Sequence, residues 1–348
     1  MSKVQEYKCL NCGAGLHFDP PSAKWKCGYC FSVFEKEALE AAYGKDIHKT
    51  TTAEEEKKED LSCYRCASCG AELVTDQTVS ATICLYCKSP SIIKERLSGK
   101  FEPKFVIPFK LTKDQAKSIY TQWVKKRPFV PDEFLEKEEV DRITGVYAPF
   151  WLYDSYVIGQ IEGEGTKVSH WRAGDYRYTR TKYYRIEREG TVTYKRVPVD
   201  ASVKMDDTLM NNIEPYNYSD LKDFSMEYLS GFMAERYDVS SDEGEGIMKK
   251  RVERYVEQRL LGTVTGYSTA NMNKKNIRFT EIACHYAMLP VYLLVHKYND
   301  KSYMFAVNGQ TGKVTGDTPV SLKKQLFFAM LVFLITWLVV VIGGAFLG

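Results

Sequence analysis

The sequence predicts a multidomain chain: two small β modules built on cysteine knuckles, a mainly antiparallel α+β domain, and one C-terminal transmembrane α-helix. Three observations predict it. Cysteines recur at paired spacing in the first 87 residues, strand-like and helix-like patterns alternate through the aromatic-rich middle, and a charge-free apolar run closes the 348-residue chain.

Nine of the ten cysteines lie at or before Cys87. Eight form two sets with identical internal spacing, Cys9, Cys12, Cys27, Cys30 and Cys66, Cys69, Cys84, Cys87, offset by 57 residues. Zinc(II) favours four soft ligands at tetrahedral corners, and a C-x2-C knuckle places two thiolates on one side of the ion while a hairpin returns the second pair. The spacing therefore predicts two zinc ribbons, residues 1–43 and 63–98, with one structural Zn2+ each. Neighbouring residues repeat too: Tyr7-Lys8-Cys9 matches Tyr64-Arg65-Cys66, and Tyr29-Cys30 matches Tyr86-Cys87. The offset chooses Cys66 and Cys69 as the second knuckle over Cys63 and Cys66, and leaves Cys63 a free thiol. Gly13 and Gly70 follow their knuckles, where a tight turn asks for positive φ. Four thiolates alone also admit iron, although hairpins of this length usually hold zinc.

Residues 44–62 between the ribbons are charged and lack apolar periodicity, which predicts a flexible linker. Residues 99–320 read as a cytoplasmic α+β domain. Thr112 to Lys126 places Ala116, Ile119, Tyr120 and Trp123 at helical spacing, and a short helix follows Pro131. Strands are expected at 147–161, 166–171, 176–186 and 191–199, divided by turns at Gly163/Gly165, Gly174 and Gly190. Helices are expected at 219–236 and 241–261, the second with Ile247, Val252, Tyr255, Val256 and Leu260 on one face. Strands return at 277–286, 290–298 and 302–307, and Asn308 to Gly312 turns the chain into a last strand. Pro149-Phe150-Trp151-Leu152 and Pro290-Val291-Tyr292-Leu293 are alike and suggest a second internal repeat.

From Leu326 to Leu347 no residue is charged. About 22 helical residues span roughly 33 Å, the thickness of a bilayer's hydrocarbon. A transmembrane helix is expected over 325–348. Lys323 and Lys324 precede it, so the positive-inside rule places the N-terminal bulk in the cytoplasm, and no apolar h-region near Met1 suggests a secretory signal. The expected localisation is the cell membrane, single-pass and tail-anchored. A reducing cytosol keeps thiolates available to metal.

The chemistry points away from an enzyme. No G-x-S-x-G, Walker A, G-x-G-x-x-G after a strand or H-E-x-x-H motif is present. Four thiolates close a zinc ion's coordination sphere and leave no open position for substrate. Cys284 and His285 are neighbours on a strand and point to opposite faces. Charge argues against nucleic acid at the ribbons: residues 1–43 balance to zero and residues 63–100 to +2. Trp171 to Arg196 is different, with eight Lys/Arg against three acids among six aromatic residues. It reads as a solvated hairpin, or as a surface for anionic headgroups or single-stranded nucleic acid.

Tyr-Lys-Cys-x2-Cys-Gly-x-Gly-Leu-x-Phe-Asp at 7–19, Trp25-Lys26-Cys27-x2-Cys30, the second ribbon and the apolar tail resemble the YdjG-type family of bacterial membrane proteins with TFIIB-type zinc ribbons. That resemblance implies a phage-shock or envelope-stress role beside a second membrane protein, recruiting an SPFH-domain protein and a PspA-type protein. The expected function is a tail-anchored adaptor whose ribbons dock proteins. The alternative is a membrane-tethered nucleic-acid-binding regulator.

Overall fold

The computed structural model describes residues 4–5, 7–43, 61–65, 72–76, 79–83, 90–93, 97, 99–299 and 301–347. Cys66, Cys69, Cys84, Cys87, Gly70 and residues 44–60 of the expected linker lie outside the described residues.

The N-terminal lobe holds strands β1 (Val4–Gln5), β2 (Leu16–Asp19), β3 (Lys24–Cys27) and β4 (Val33–Phe34), closed by helix α1 (Lys36–Tyr43). Next come β5 (Leu61–Arg65), β6 (Glu72–Asp76), β7 (Val79–Ile83) and β8 (Pro90–Ile93). The body begins with β9 (Phe105–Val106), α2 (Lys113–Lys125) and α3 (Lys137–Val140). Its long strands are β10 (Thr144–Ala173) and β11 (Tyr176–Asp200), followed by α4 (Asp207–Asn212), β12 (Lys222–Asp223), β13 (Met233–Glu235) and α5 (Ser241–Leu261). Finally β14 (Thr269–Tyr298), β15 (Lys301–Asn308) and β16 (Val314–Gly316) lead into α6 (Leu322–Leu347).

Most strand pairs in the main sheet are antiparallel. β10 runs between β11 and β14, and β15 and β16 extend the β14 side. Two parallel pairs, β10 with β13 and β14 with β9, make the sheet mixed. β10 separates two cores by its period of two. Val146, Ala148, Phe150 and Leu152 face Leu209, Met210 and Ile213 on one side. Tyr147, Trp151, Tyr153 and Val157 face the opposite core, which holds Ala116 and Tyr120 of α2 and Met248, Val252 and Val256 of α5.

The expected turns at Gly163/Gly165 and Gly190 do not occur. These glycines lie inside continuous strands, β10 pairing with β11 from Ala173↔Tyr176 back to Phe150↔Asp200. At Gly163 and Gly165 the reason is close packing. A Cβ on Gly163 would lie 2.1 Å from the Asn271 carbonyl oxygen, and one on Gly165 would lie 2.6 Å from Ile186 Cδ1. Only Gly174, at φ +61°, turns the chain. Pro149 and Pro290 likewise sit within β10 and β14, whose neighbouring registers include Pro149↔Met288 and Tyr147↔Pro290.

Thr112 caps α2 as expected, accepting from the Gln115 N–H while the Gln115 side chain accepts from the Thr112 N–H. Ser240 and Glu243 form the same box on α5. Of the face expected to be buried on α5, Val252, Val256 and Leu260 are buried but Ile247 and Tyr255 are exposed; Gly244 and Met248 complete the buried stripe at intervals of four. Gly244 lets the helix approach Tyr153, and Val256 packs where Gly159 has no side chain. The expected helix at 219–236 is replaced by 3-10 turns at Tyr218–Asp220 and Met226–Leu229 and by β12 and β13.

Beyond Thr166↔Thr269, β14 ends and only the β10–β11 hairpin continues. Every residue from Lys167 to Arg185 is exposed. The three long strands thus form an arm; thirty residues at about 3.3 Å each give a contour of roughly 100 Å. At the opposite end of β14, His296 and Tyr298 pack on Phe134. The segment beside Phe134 holds the root of α6, through Lys324 Nζ to Val130 O at 2.7 Å and to Asp132 Oδ1 at 2.6 Å. The hairpin tip and the α6 root therefore occupy opposite poles of the long strands.

Candidate metal centre

The N-terminal lobe brings Cys9, Cys12, Cys27 and Cys30 together, with all four sulfur atoms within 4.8 Å of one another. Cys9 Sγ lies 3.5 Å from Cys30 Sγ, and Cys12 Sγ lies 3.5 Å from Cys27 Sγ. A tetrahedron of Zn–S bonds near 2.3 Å needs sulfurs about 3.8 Å apart, so the donor set fits a four-coordinate thiolate metal. Cys9 and Cys27 are buried, while Cys12 and Cys30 are exposed.

Local chemistry builds this geometry. The first knuckle turns at Gly13, φ +75°, whose N–H donates to Cys9 O at 2.8 Å. β3 carries Cys27 and pairs Leu16↔Cys27 with β2. After it, the N–H groups of Tyr29 and Cys30 donate to Cys27 Sγ at 3.4 and 3.5 Å. The N–H of Cys30 followed by that of Tyr29 holds the Cys27 thiol below its usual range. The Ser32 hydroxyl lies 3.1 Å from Cys30 Sγ and, with the Ser32 N–H, lowers Cys30 to about 6. The Ala14 N–H lowers Cys12, but crowding by the other thiols outweighs it and pushes Cys12 up to about 12. The thiols thus pull one another in opposite directions, Cys30 and Cys27 down and Cys12 up, as in a cluster of like groups competing for one proton.

Ser32 and Asn11, whose Nδ2 donates to Ser32 Oγ at 2.9 Å, support the site without being cysteines. Sequence reading passed over both. The signal available was only their position beside knuckle residues.

The lobe is docked on the body. Trp25 Nε1 donates to Glu227 O at 2.8 Å, and the Phe18 N–H donates to Ser230 O at 3.1 Å. The Ser230 hydroxyl donates to Leu16 O. Phe18, Trp25 and Tyr228 cluster with ring centroids 5.1 to 5.6 Å apart. Gly231, at φ +90°, leaves room for His17, whose Nδ1 would lie 3.1 Å from an added Cβ. At the lobe's other edge the Tyr43 hydroxyl donates to Lys8 O at 2.7 Å.

The second cysteine set lies outside the described residues, but its flanking strands repeat the first lobe's register. The bridge Lys8↔Gly15 recurs 57 residues later as Arg65↔Glu72. Trp25↔Phe34 and Lys26↔Val33 recur as Thr82↔Ser91 and Ile83↔Pro90. β7 and β8 join the main sheet through β13, and β1 pairs with β8.

Elsewhere Cys284 is half-buried in β14, where burial pushes its thiol up to about 11. That environment suits an inert thiol, not a nucleophile. At the C-terminus, Leu322–Ile342 of α6 is 21 residues long, exposed, and apolar enough to cross a bilayer.

Fold and site define a protein with a four-cysteine cluster on a mixed-sheet body that ends in one long apolar helix. The chain is 35% identical over 344 residues to a protein of Bacillus subtilis (strain 168) named uncharacterized protein YdjG, across 99% of this chain and 96% of that one. It belongs to the YdjG family. No family model matches the chain, and no solved structure matches it.

Proposed function

We propose that the protein is a tail-anchored membrane adaptor, not an enzyme, with two structural zinc sites at Cys9, Cys12, Cys27, Cys30 and at Cys66, Cys69, Cys84, Cys87. The observation that carries this reading is the closed four-thiol cluster docked on a body that ends in an apolar helix. Four protein sulfurs leave a metal no position for substrate, so the metal's contribution is to hold a surface in shape. The repeated register supports a second site of the same kind. α6 crosses the bilayer, and Lys323 and Lys324 at its start keep the body on the cytoplasmic side. The partners are an SPFH-domain protein, a PspA-type protein and a second membrane protein of the envelope stress response, as the family resemblance implies. Co-purification from solubilised membranes tests this. Tagged wild type should carry the SPFH-type or PspA-type protein, and a variant with Cys12→Ser and Cys69→Ser should lose it while staying in the membrane. Equal recovery with wild type and variant would defeat the adaptor reading.

A second reading, a membrane-tethered nucleic-acid-binding regulator, is favoured by the hairpin tip. Trp171 stacks on Tyr178 with centroids 5.5 Å apart, Arg180 lies over Trp171 at 5.2 Å, and Lys167 lies over Tyr184 and Tyr267. Exposed rings between cations can stack bases and pair phosphates. Salt-dependent binding of single-stranded oligonucleotides by the full-length protein, lost in Trp171→Ala, would establish it.

A further inference from the structure

The loop from Lys125 to Pro131 is fixed against the first two turns of α6. The Ser321 N–H donates to Phe129 O at 2.8 Å, and the Lys324 ammonium is held by Val130 O and Asp132. Phe129 meets Phe328 edge to face, with centroids 5.5 Å apart and planes at 83°. Between them lies an open groove of about 410 Å³ lined by Pro128, Phe129, Lys323, Lys324, Phe327 and Phe328. Its floor is aromatic and its rim is cationic.

The charges of the groove, Lys323 and Lys324, and of the α2 end that precedes Pro128 differ in availability. Lys324 is committed to Asp132, and Arg127 lies 3.4 Å over the Trp123 ring while donating to Trp123 O. Lys323, Lys125 and Lys126 are exposed and form no ion pair among the described residues. Phe327 and Phe328 stand five and six residues along the helix from Leu322, about 8 to 9 Å at 1.5 Å per residue. That is the depth at which amphipathic elements sit at the boundary of headgroups and acyl chains. A free phosphate would leave the aromatic floor bare, and an uncharged lipid would leave three ammonium groups without a counterion.

We propose that this groove seats an anionic phospholipid of the bilayer that α6 enters, its phosphate on Lys323 and within the field of Lys125 and Lys126 at the end of α2, and an acyl chain along Phe129, Phe327 and Phe328. The proposal rests on the reading of α6 as a membrane span. It gives the body a second point of attachment and so fixes its tilt on the membrane.

The test uses the full-length protein in nanodiscs of phosphatidylcholine with or without phosphatidylglycerol. Native mass spectrometry of the released complex should show phosphatidylglycerol retained in preference to phosphatidylcholine. Hydrogen exchange of residues 123–131 should slow several-fold in the anionic discs. Each cation near an anionic surface contributes roughly five-fold in affinity, so K125Q/K126Q/K323Q should erase both effects with an unchanged circular dichroism spectrum. Phe129→Ser should weaken retention while leaving the charge intact. Equal retention of the two lipids, a triple variant that keeps the preference, or loss of the preference to millimolar inorganic phosphate would overturn the seat. Release of the wild type from membranes by alkaline carbonate would overturn the spanning helix itself, a failure distinguishable from the others.

Discussion

The Trp25 indole N–H donates to the Glu227 carbonyl oxygen at 2.8 Å, joining residues 202 positions apart. Glu227 lies in a 3-10 turn, and its carbonyl oxygen accepts both from the Ser230 N–H of that turn at 3.1 Å and from the cysteine lobe. The lobe is consequently part of the body's core: Tyr7, Leu16, Phe18, Trp25 and Leu39 are buried in the same cluster as Tyr147 and Phe232.

Loss of this link should free the lobe without unfolding the molecule. Trp25→Phe removes one buried hydrogen bond, worth about 1 to 2 kcal/mol, and Trp25→Ala adds a cavity for about 3 to 5 kcal/mol in all. Hydrogen exchange should accelerate over residues 16–27 and 226–232 and stay slow in β10 and β14. Uniform acceleration across the chain would show that the lobe and body unfold as one unit.

Elemental analysis should find two zinc ions per chain. Cys12→Ser and Cys69→Ser should each remove one, and Cys63→Ser should remove none. Because small metal modules draw their folding energy from the metal, chelation should expose Cys9 and Cys27 to thiol reagents. Coloured protein with iron absorption would reassign the metal.

The tail prediction concerns α6 alone. Full-length protein should resist alkaline extraction from membranes, and deletion of residues 322–348 should leave a soluble body. A body that still sediments tightly with vesicles of zwitterionic lipid would reveal a further anchor.

Asp200 provides a pH signature. It is buried, and burial, followed by the nearby carboxylate of Asp207, pushes it up to about 8, with Asp238 adding in the same direction. The unfolded chain loses that proton near pH 4 while the folded chain keeps it. The folded state therefore binds more protons between these values, so its stability is full below about pH 4 and falls as pH rises through about 8. Asp200→Asn should remove this part of the slope, amounting to a few kcal/mol at the alkaline end. Denaturant midpoints at pH 5, 7 and 9 measure it; parallel curves for both proteins would refute the assignment.

Local signals in the sequence were sufficient where local chemistry sets the structure. The knuckle spacing foretold the Cys9, Cys12, Cys27, Cys30 cluster, Gly13 its positive φ, Thr112 and Gln115 the start of α2, and the charge-free run α6. Misreadings arose where a distant partner decides. Gly163 and Gly165 looked like turns because glycine serves equally for turns and for close approach, and only the facing elements distinguish the two. Residues 219–236 showed apolar spacing compatible with a helix, but the lobe claims the backbone of Glu227 and Ser230. On α5 the expected Val252, Val256 and Leu260 are buried, but Ile247 and Tyr255 were misplaced because the contact face runs through Met248 and Gly244, a poor helix former.

The opposed poles of the long strands have an electrostatic consequence. With α6 rooted beside Phe134, the tip at Gly174 lies on the order of 100 Å of strand contour away from that root. Salt screens charge over about 8 Å in physiological solution, so with α6 in a bilayer as proposed, the cations of the tip would be insulated from that bilayer's surface charge. Arg172, Arg177, Arg180 and Lys182 form a cationic outpost at a fixed standoff. In that arrangement, lipid composition at the anchor would leave their affinity for an anion in solution unchanged.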